Sequence, residues 1–87
     1  MRVRYTPRAR NDLIQILDYL MQRSPGGARN VRRAIERTLQ LIGEHPQAGR
    51  IAGEQGTRVL PAGRYPYWTY WIVEADEAWI GFLQERP

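Results

Sequence analysis

Cysteine and lysine are both absent from these 87 residues, and histidine and serine occur once each, as His45 and Ser24. Without cysteine there is no disulfide framework and no thiolate nucleophile. Without lysine there is no Schiff-base amine, and no ammonium group that burial could turn into a general base. One histidine with no cysteine cannot supply a metal-ligand set at the spacing such sites need, so neither a metal nor any other cofactor is expected. Ser24 precedes Pro25 and reads as a helix N-cap, which leaves no Ser-His-Asp triad. Neither of the glycine-rich phosphate-binding loops occurs. No apolar run approaches the ~20 residues of a membrane helix. The basic N-terminal stretch has no apolar segment of the kind a secretory signal carries, so a cytoplasmic location with no membrane contact is expected.

All thirteen basic residues are arginine, set against nine acidic ones for a net charge of +4. The planar guanidinium fork suits phosphates and carboxylates, so the surface favours acidic partners, whether nucleic acid or protein. At 43 % hydrophobic and 25 % charged, the composition is that of an ordinary globule, and residues 1–87 are expected to form one domain.

Val3 and Tyr5 alternate with Arg2 and Arg4 at the spacing of a half-buried strand. Thr6-Pro7 then reads as an N-cap with proline at the first helical position, and Ala9, Leu13, Ile16, Leu17 and Leu20 form the apolar stripe of a helix over about 7–22. Ser24-Pro25 starts a second helix, with Ala28, Val31, Ile35, Leu39 and Ile42 on its apolar side and its end marked by Gly43 and Pro46. His45 is expected to serve the last carbonyls of that helix. Three strands follow: Thr57 to Leu60, Tyr67 to Val73, and Ala78 to Leu83 after a tight turn at 74–76. In the last strand Ala78, Ile80 and Phe82 are expected to share one face, and Trp79, Gly81 and Leu83 the other. The fold class is α+β, two-layered, in the order β-α-α-β-β-β, with a helical hairpin on a small antiparallel sheet and the first strand added at an edge.

Strand alternation places Tyr67, Thr69 and Trp71 on one face, and Trp68, Tyr70 and Ile72 on the other. Both sets are bulky, and a sheet face bare to water would expose an unusual apolar area. A protein partner covering the second set is therefore expected, ahead of base stacking beside the arginines. Arg50, Arg58 and Arg64 lie among glycines just before this strand. Arg50 and Arg58 could tie a loop to Glu36 or Glu44, or bind a partner; Arg64 is expected to bind.

Several short motifs occur in order: Ala9, Asp12 and Leu13 at the first helix; Pro46, Gly49 and Arg50; Arg58 to Leu60; and Tyr65 to Tyr67. Together with the element order they resemble the ParE/RelE superfamily, the toxin halves of bacterial type II toxin–antitoxin pairs. The resemblance covers nearly the whole chain. It implies a cognate antitoxin, a toxin–antitoxin hetero-oligomer, and one of two targets. ParE-like members inhibit DNA gyrase by binding; RelE-like members are ribosome-dependent mRNA endoribonucleases. A nuclease needs a proton acceptor and cations for the developing phosphorane, and arginine accepts protons poorly. Here the resemblance would leave Arg58, Arg64 and Arg86 for charge and Glu85 for the base, with no histidine or tyrosine at the C-terminal end. The turn signatures lean to the ParE branch, a non-enzymatic toxin. On that reading Arg50, Arg58, Arg64 and Tyr67 contact the target, while Trp68, Tyr70 and Ile72 contact the antitoxin. An RNA-binding module sharing only the fold stays open as a further alternative.

Overall fold

Residues Arg2–Tyr5 form strand β1, which leads through Thr6 into helix α1, Pro7–Arg23. In the computed structural model, which describes residues 1–86, the Thr6 hydroxyl accepts the Ala9 N–H at 3.1 Å and donates to the Gly81 carbonyl at 2.8 Å. One side chain therefore satisfies a free helix N–H and fastens the helix to the far end of the sequence. Ser24 repeats the device for α2, Pro25–Glu44, accepting the Gly27 N–H, while its own N–H closes α1 on Leu20 O. With one residue between the helices, the hairpin is tight. His45 closes α2 by its backbone, its N–H donating to Leu41 O at 2.7 Å, so the bond at this helix end is a main-chain one.

The sheet has five strands in the order β1-β5-β4-β3-β2. A two-residue strand β2, Arg50–Ile51, is followed by a 3₁₀ turn and then β3 (Arg58–Pro61), β4 (Tyr67–Glu74) and β5 (Glu77–Glu85). The expected element order holds, with β2 added at one edge and β1 at the other, where it runs parallel to β5. The helices cover one face. Val31, Ala34, Ile35 and Ile42 from α2 meet Tyr67, Trp71, Ala78, Ile80 and Leu83 from the sheet, and Leu13, Ile16, Leu17 and Leu20 of α1 pack against that cluster. Asp12 accepts the Leu83 N–H at 3.1 Å, a ladder group that β1 is too short to reach.

The alternation expected for the last strand is corrected here. Tyr70 pairs with Phe82 but Trp71 pairs with Ile80, so Gly81 is an extra residue in β5. The bulge reverses the phase beyond it: Leu83 turns into the core, and Phe82 joins Trp79 on the face away from the helices.

The β4–β5 hairpin turns on two residues, Ala75 (φ 51°) and Asp76 (φ 62°), both left-handed. Such turns match strand twist but favour Asn-Gly, because a Cβ in this region costs ~1–2 kcal/mol. The double change Ala75→Asn, Asp76→Gly is expected to stabilise the chain by about 1 kcal/mol, raising Tm by ~4–8 °C. An unchanged Tm would show that the turn is not under strain.

Candidate functional site

On the uncovered face of the sheet, the side chains of Trp68, Tyr70 and Ile72 from β4 lie beside Trp79 and Phe82 from β5. Tyr70 and Phe82 stack with centroids 4.2 Å apart and planes 17° from parallel, and Trp68 is tilted against Tyr70 at 6.5 Å. Stacking leaves Tyr70 only 9 % exposed, so Trp68, Ile72, Trp79 and Phe82 carry most of the accessible area. Three guanidinium groups lie over these rings: Arg4 over Trp79 (5.6 Å), Arg8 over Phe82 (4.4 Å) and Arg50 over Trp68 (5.3 Å). The attraction of a cation to the ring face keeps each guanidinium close to the aromatic surface. The result is an aromatic floor with a basic margin.

The arginines singled out in the sequence do not form one edge. Arg50 belongs to this open face and touches no carboxylate among the described residues. Arg58 Nη1 donates to the Gln47 carbonyl at 2.8 Å; it does tie the loop before β2, through a carbonyl rather than Glu36 or Glu44. Arg64 is exposed in the β3–β4 connection and lies 5.5 Å from the Tyr65 ring. With Arg37 of α2 it flanks a groove of about 540 Å³ whose apolar lining includes Ala34, Leu41 and Leu60.

Tyr67 is only 8 % exposed and belongs to the helix-side core, so it offers a partner almost no surface. Burial pushes its phenol above the ordinary value of 10.0, with Glu85 and Tyr19 adding to the rise; Tyr5 is raised by burial and by Glu36. Both are therefore protonated at neutral pH. Above pH 10 the unfolded chain releases these protons while the folded chain still holds them, so stability is present below pH 10 and falls as pH rises past it. Melting temperatures measured from pH 8 to 11 are expected to show that decline. Tyr67→Phe should flatten it, and an unaltered slope would place its cause elsewhere.

Three of the four residues of the nuclease alternative share one end of the sheet, and Arg58 stands apart from them. Glu85 and Arg86 lie at the end of β5, where Glu85 pairs with Tyr67 and the Arg86 N–H reaches Pro66 O. Arg64 lies in the connection at that same end. Arg58 pairs with Trp71, four residues further along β4 and on the strand beyond it. At ~3.3 Å per residue and ~4.8 Å between strands, the backbones of Arg58 and Glu85 are on the order of 15 Å apart. The Arg58 guanidinium is turned to the Gln47 carbonyl, so it is not placed beside Glu85.

Sequence reasoning missed Arg4, Arg8, Trp79 and Phe82 as members of the open face. An isolated glycine in a strand pattern, Gly81, was the signal for Phe82; nothing local marked the arginines.

Residues 3–80 match the family described as the ParE toxin of the type II toxin–antitoxin system parDE. No curated protein matches the sequence. Among solved structures, the chain is similar to one described as the chromosomal ParDE TA system from P. aeruginosa, with a TM-score of 0.88 and 23 % identity. That superposition covers all of this chain and 97 % of the other. At that identity the likeness establishes the fold.

Proposed function

The chain belongs to the ParE toxin family of type II toxin–antitoxin systems, and from that premise we propose that it inhibits DNA gyrase by binding, in the cytoplasm, and is neutralised by a cognate antitoxin. It carries out no chemistry of its own on this reading. The observation that carries it is the family match over residues 3–80, and the engagement of Arg58 by the Gln47 carbonyl is consistent with it. The absence of any lysine points the same way.

Two surfaces then take two partners. The aromatic open face, with Trp68, Tyr70 and Ile72, receives the antitoxin, because burying the three partly exposed rings of Trp68, Trp79 and Phe82 together with Ile72 is favourable. The Arg37–Arg64 groove, on the other side of the sheet, contacts gyrase. Toxin and antitoxin accordingly form a hetero-oligomer.

The test is a supercoiling assay with purified gyrase, titrated with this chain alone and then with the protein encoded beside it. Inhibition relieved by the neighbour is expected; no inhibition by a folded sample would overturn gyrase as the target. The double variant Arg37→Ala, Arg64→Ala is expected to raise the inhibitory concentration roughly 10–100-fold, at 1.4 kcal/mol per tenfold. An unaltered titration would remove the groove from the gyrase contact. Ribosome-dependent cleavage of mRNA, lost in Glu85→Gln, would instead favour the nuclease branch.

A further inference from the structure

The bulge in β5 leaves a depression in the open face, lined by Thr6, Thr57, Tyr70, Ile72, Trp79 and Phe82 together with Trp71 and Gly81. Its volume is about 130 Å³, on the scale of the ~150 Å³ apolar cavity that holds one benzene in an unrelated protein. Only two side-chain hydroxyls other than the Tyr70 phenol line it, and both have spent their protons. Thr6 donates to Gly81 O at 2.8 Å, and Thr57 donates to Glu54 O at 3.1 Å. The Gly81 carbonyl is engaged by the same Thr6 bond. A polar occupant would lose its bonds to water and find little in return, whereas an apolar one loses nothing.

Arg4 and Arg8 border this apolar hole, over its lining rings Trp79 and Phe82, and Arg50 lies further along the face over Trp68, outside the lining. The carboxylates within ion-pair reach of them are Glu77, bonded to Arg4 at 2.7 Å, and Asp12, 3.9 Å from Arg8 and already accepting the Leu83 N–H. Arg50 and most of the donor capacity of Arg8 remain available to a ligand. An apolar pocket with a basic rim complements one large apolar side chain carried between acidic residues.

We infer that this pocket is the anchor site for the antitoxin: it receives a single leucine- or phenylalanine-sized side chain from a segment whose flanking carboxylates meet Arg4 and Arg8, and which runs on towards Arg50. The inference rests on the proposed toxin–antitoxin pairing and adds the chemistry of the segment and the place where it docks. A small apolar pocket bordered by charge is an arrangement in which one buried residue can dominate affinity while the border sets association rate and specificity.

Gly81 allows the pocket to be filled without touching any charge. A Cβ built there would meet nothing nearer than Tyr70 O, at 3.9 Å. The backbone at Gly81 is outside the left-handed region, so a side chain is tolerated. The experiment measures the affinity of the neighbour-encoded protein for the wild-type chain, Gly81→Ala and Gly81→Leu. Each chain is checked for native melting, and the affinity is measured at two salt concentrations.

Gly81→Leu is expected to weaken binding at least 30-fold, and Gly81→Ala by a smaller factor. The salt dependence should be the same for all three, since the arginines are intact. Undiminished affinity in a natively folded Gly81→Leu overturns the proposal. If Gly81→Leu does not fold, Gly81→Ala together with Ile72→Ala decides: affinity unchanged in both overturns it. Fluorescence titration with a single-stranded oligonucleotide is run beside these. Oligonucleotide binding that the neighbour-encoded protein fails to displace would assign the face to nucleic acid and also overturn the proposal. Gyrase inhibition by the wild-type chain is read separately; its failure removes gyrase as the target and leaves the pocket assignment standing.

Discussion

Gly49→Ala is expected to lower Tm by about 12 °C or more, from a loss of about 3 kcal/mol in an 87-residue chain. Gly49 sits at φ +74°, and a Cβ there would stand 2.4 Å from the Val59 carbonyl oxygen and 3.0 Å from the Trp71 ring. The left-handed backbone costs a non-glycine residue ~1–2 kcal/mol. The overlap with β3 is the larger matter, because the opposing atom is backbone and cannot rotate away. Forcing such a contact costs a further ~1–3 kcal/mol through displaced strands. Gly56 and Gly63 supply the controls, with φ of +75° and +60° and nothing within 4 Å. Alanine at either should cost only the conformational part, about 1 kcal/mol. Three equal losses would mean that contact with β3 contributes nothing. Because Arg50 follows directly, the Gly49 variant should also move that guanidinium off Trp68 and so lower affinity for the proposed antitoxin.

Trp71→Ala is expected to bring the chain close to unfolding at 25 °C. Trp71 is 1 % exposed, the largest fully buried side chain, and its indole Nε1–H donates to the Pro46 carbonyl at 3.1 Å. Truncating a buried tryptophan removes ~3–5 kcal/mol through lost transfer energy and the cavity left behind. A chain of this length has a total stability of only ~4–13 kcal/mol, at ~0.05–0.15 kcal/mol per residue. The same change orphans Pro46 O, which fixes the loop from α2 to β2. Trp71→Phe separates the two effects: it keeps most of the packing and loses the hydrogen bond, a deficit of about 1 kcal/mol. Urea unfolding of the three proteins gives the comparison. A phenylalanine variant as unstable as the alanine one would mean that the tether to Pro46, rather than packing, holds this loop.

The helices were legible in the sequence because their signals are local. Thr6-Pro7 and Ser24-Pro25 bound them, and helical spacing of the apolar residues places the hairpin against the sheet. Strands β3, β4 and β5 were legible to within a residue or two at their ends for the same reason. The phase of β5 past Gly81 was not. It depends on how Tyr70 and Trp71 register with the opposite strand, which is decided by the packing of Leu83 and Trp71 and not by any stretch of β5 alone. Strand β2 is two residues long, too short to carry a period, and exists because Gly49 lets the chain approach Val59.

The candidate surfaces were legible in kind and misplaced in detail. An aromatic face awaiting a partner follows from alternation in β4, and Trp68, Tyr70 and Ile72 do lie on it. Its basic margin draws on Arg4 from β1 and Arg8 from α1, which nothing near β4 in the sequence announces. Tyr67 was expected as a target contact on the ParE reading, yet strand alternation puts it beside Trp71, and it is in the core.

The parallel seam between β1 and β5 also governs the order in which the chain can fold. Arg4 reaches Glu77 across 73 residues, Thr6 reaches Gly81 across 75, and Asp12 reaches Leu83 across 71. Each of these contacts closes a loop of almost the full chain, and the entropy of that closure must be met before the contact returns anything. The helical hairpin, by contrast, needs only neighbours in sequence. During synthesis the hairpin can form early, but the open face stays incomplete until Trp79 and Phe82 leave the ribosome. A chain synthesised only as far as β4 therefore has neither the complete aromatic face nor the assembled sheet.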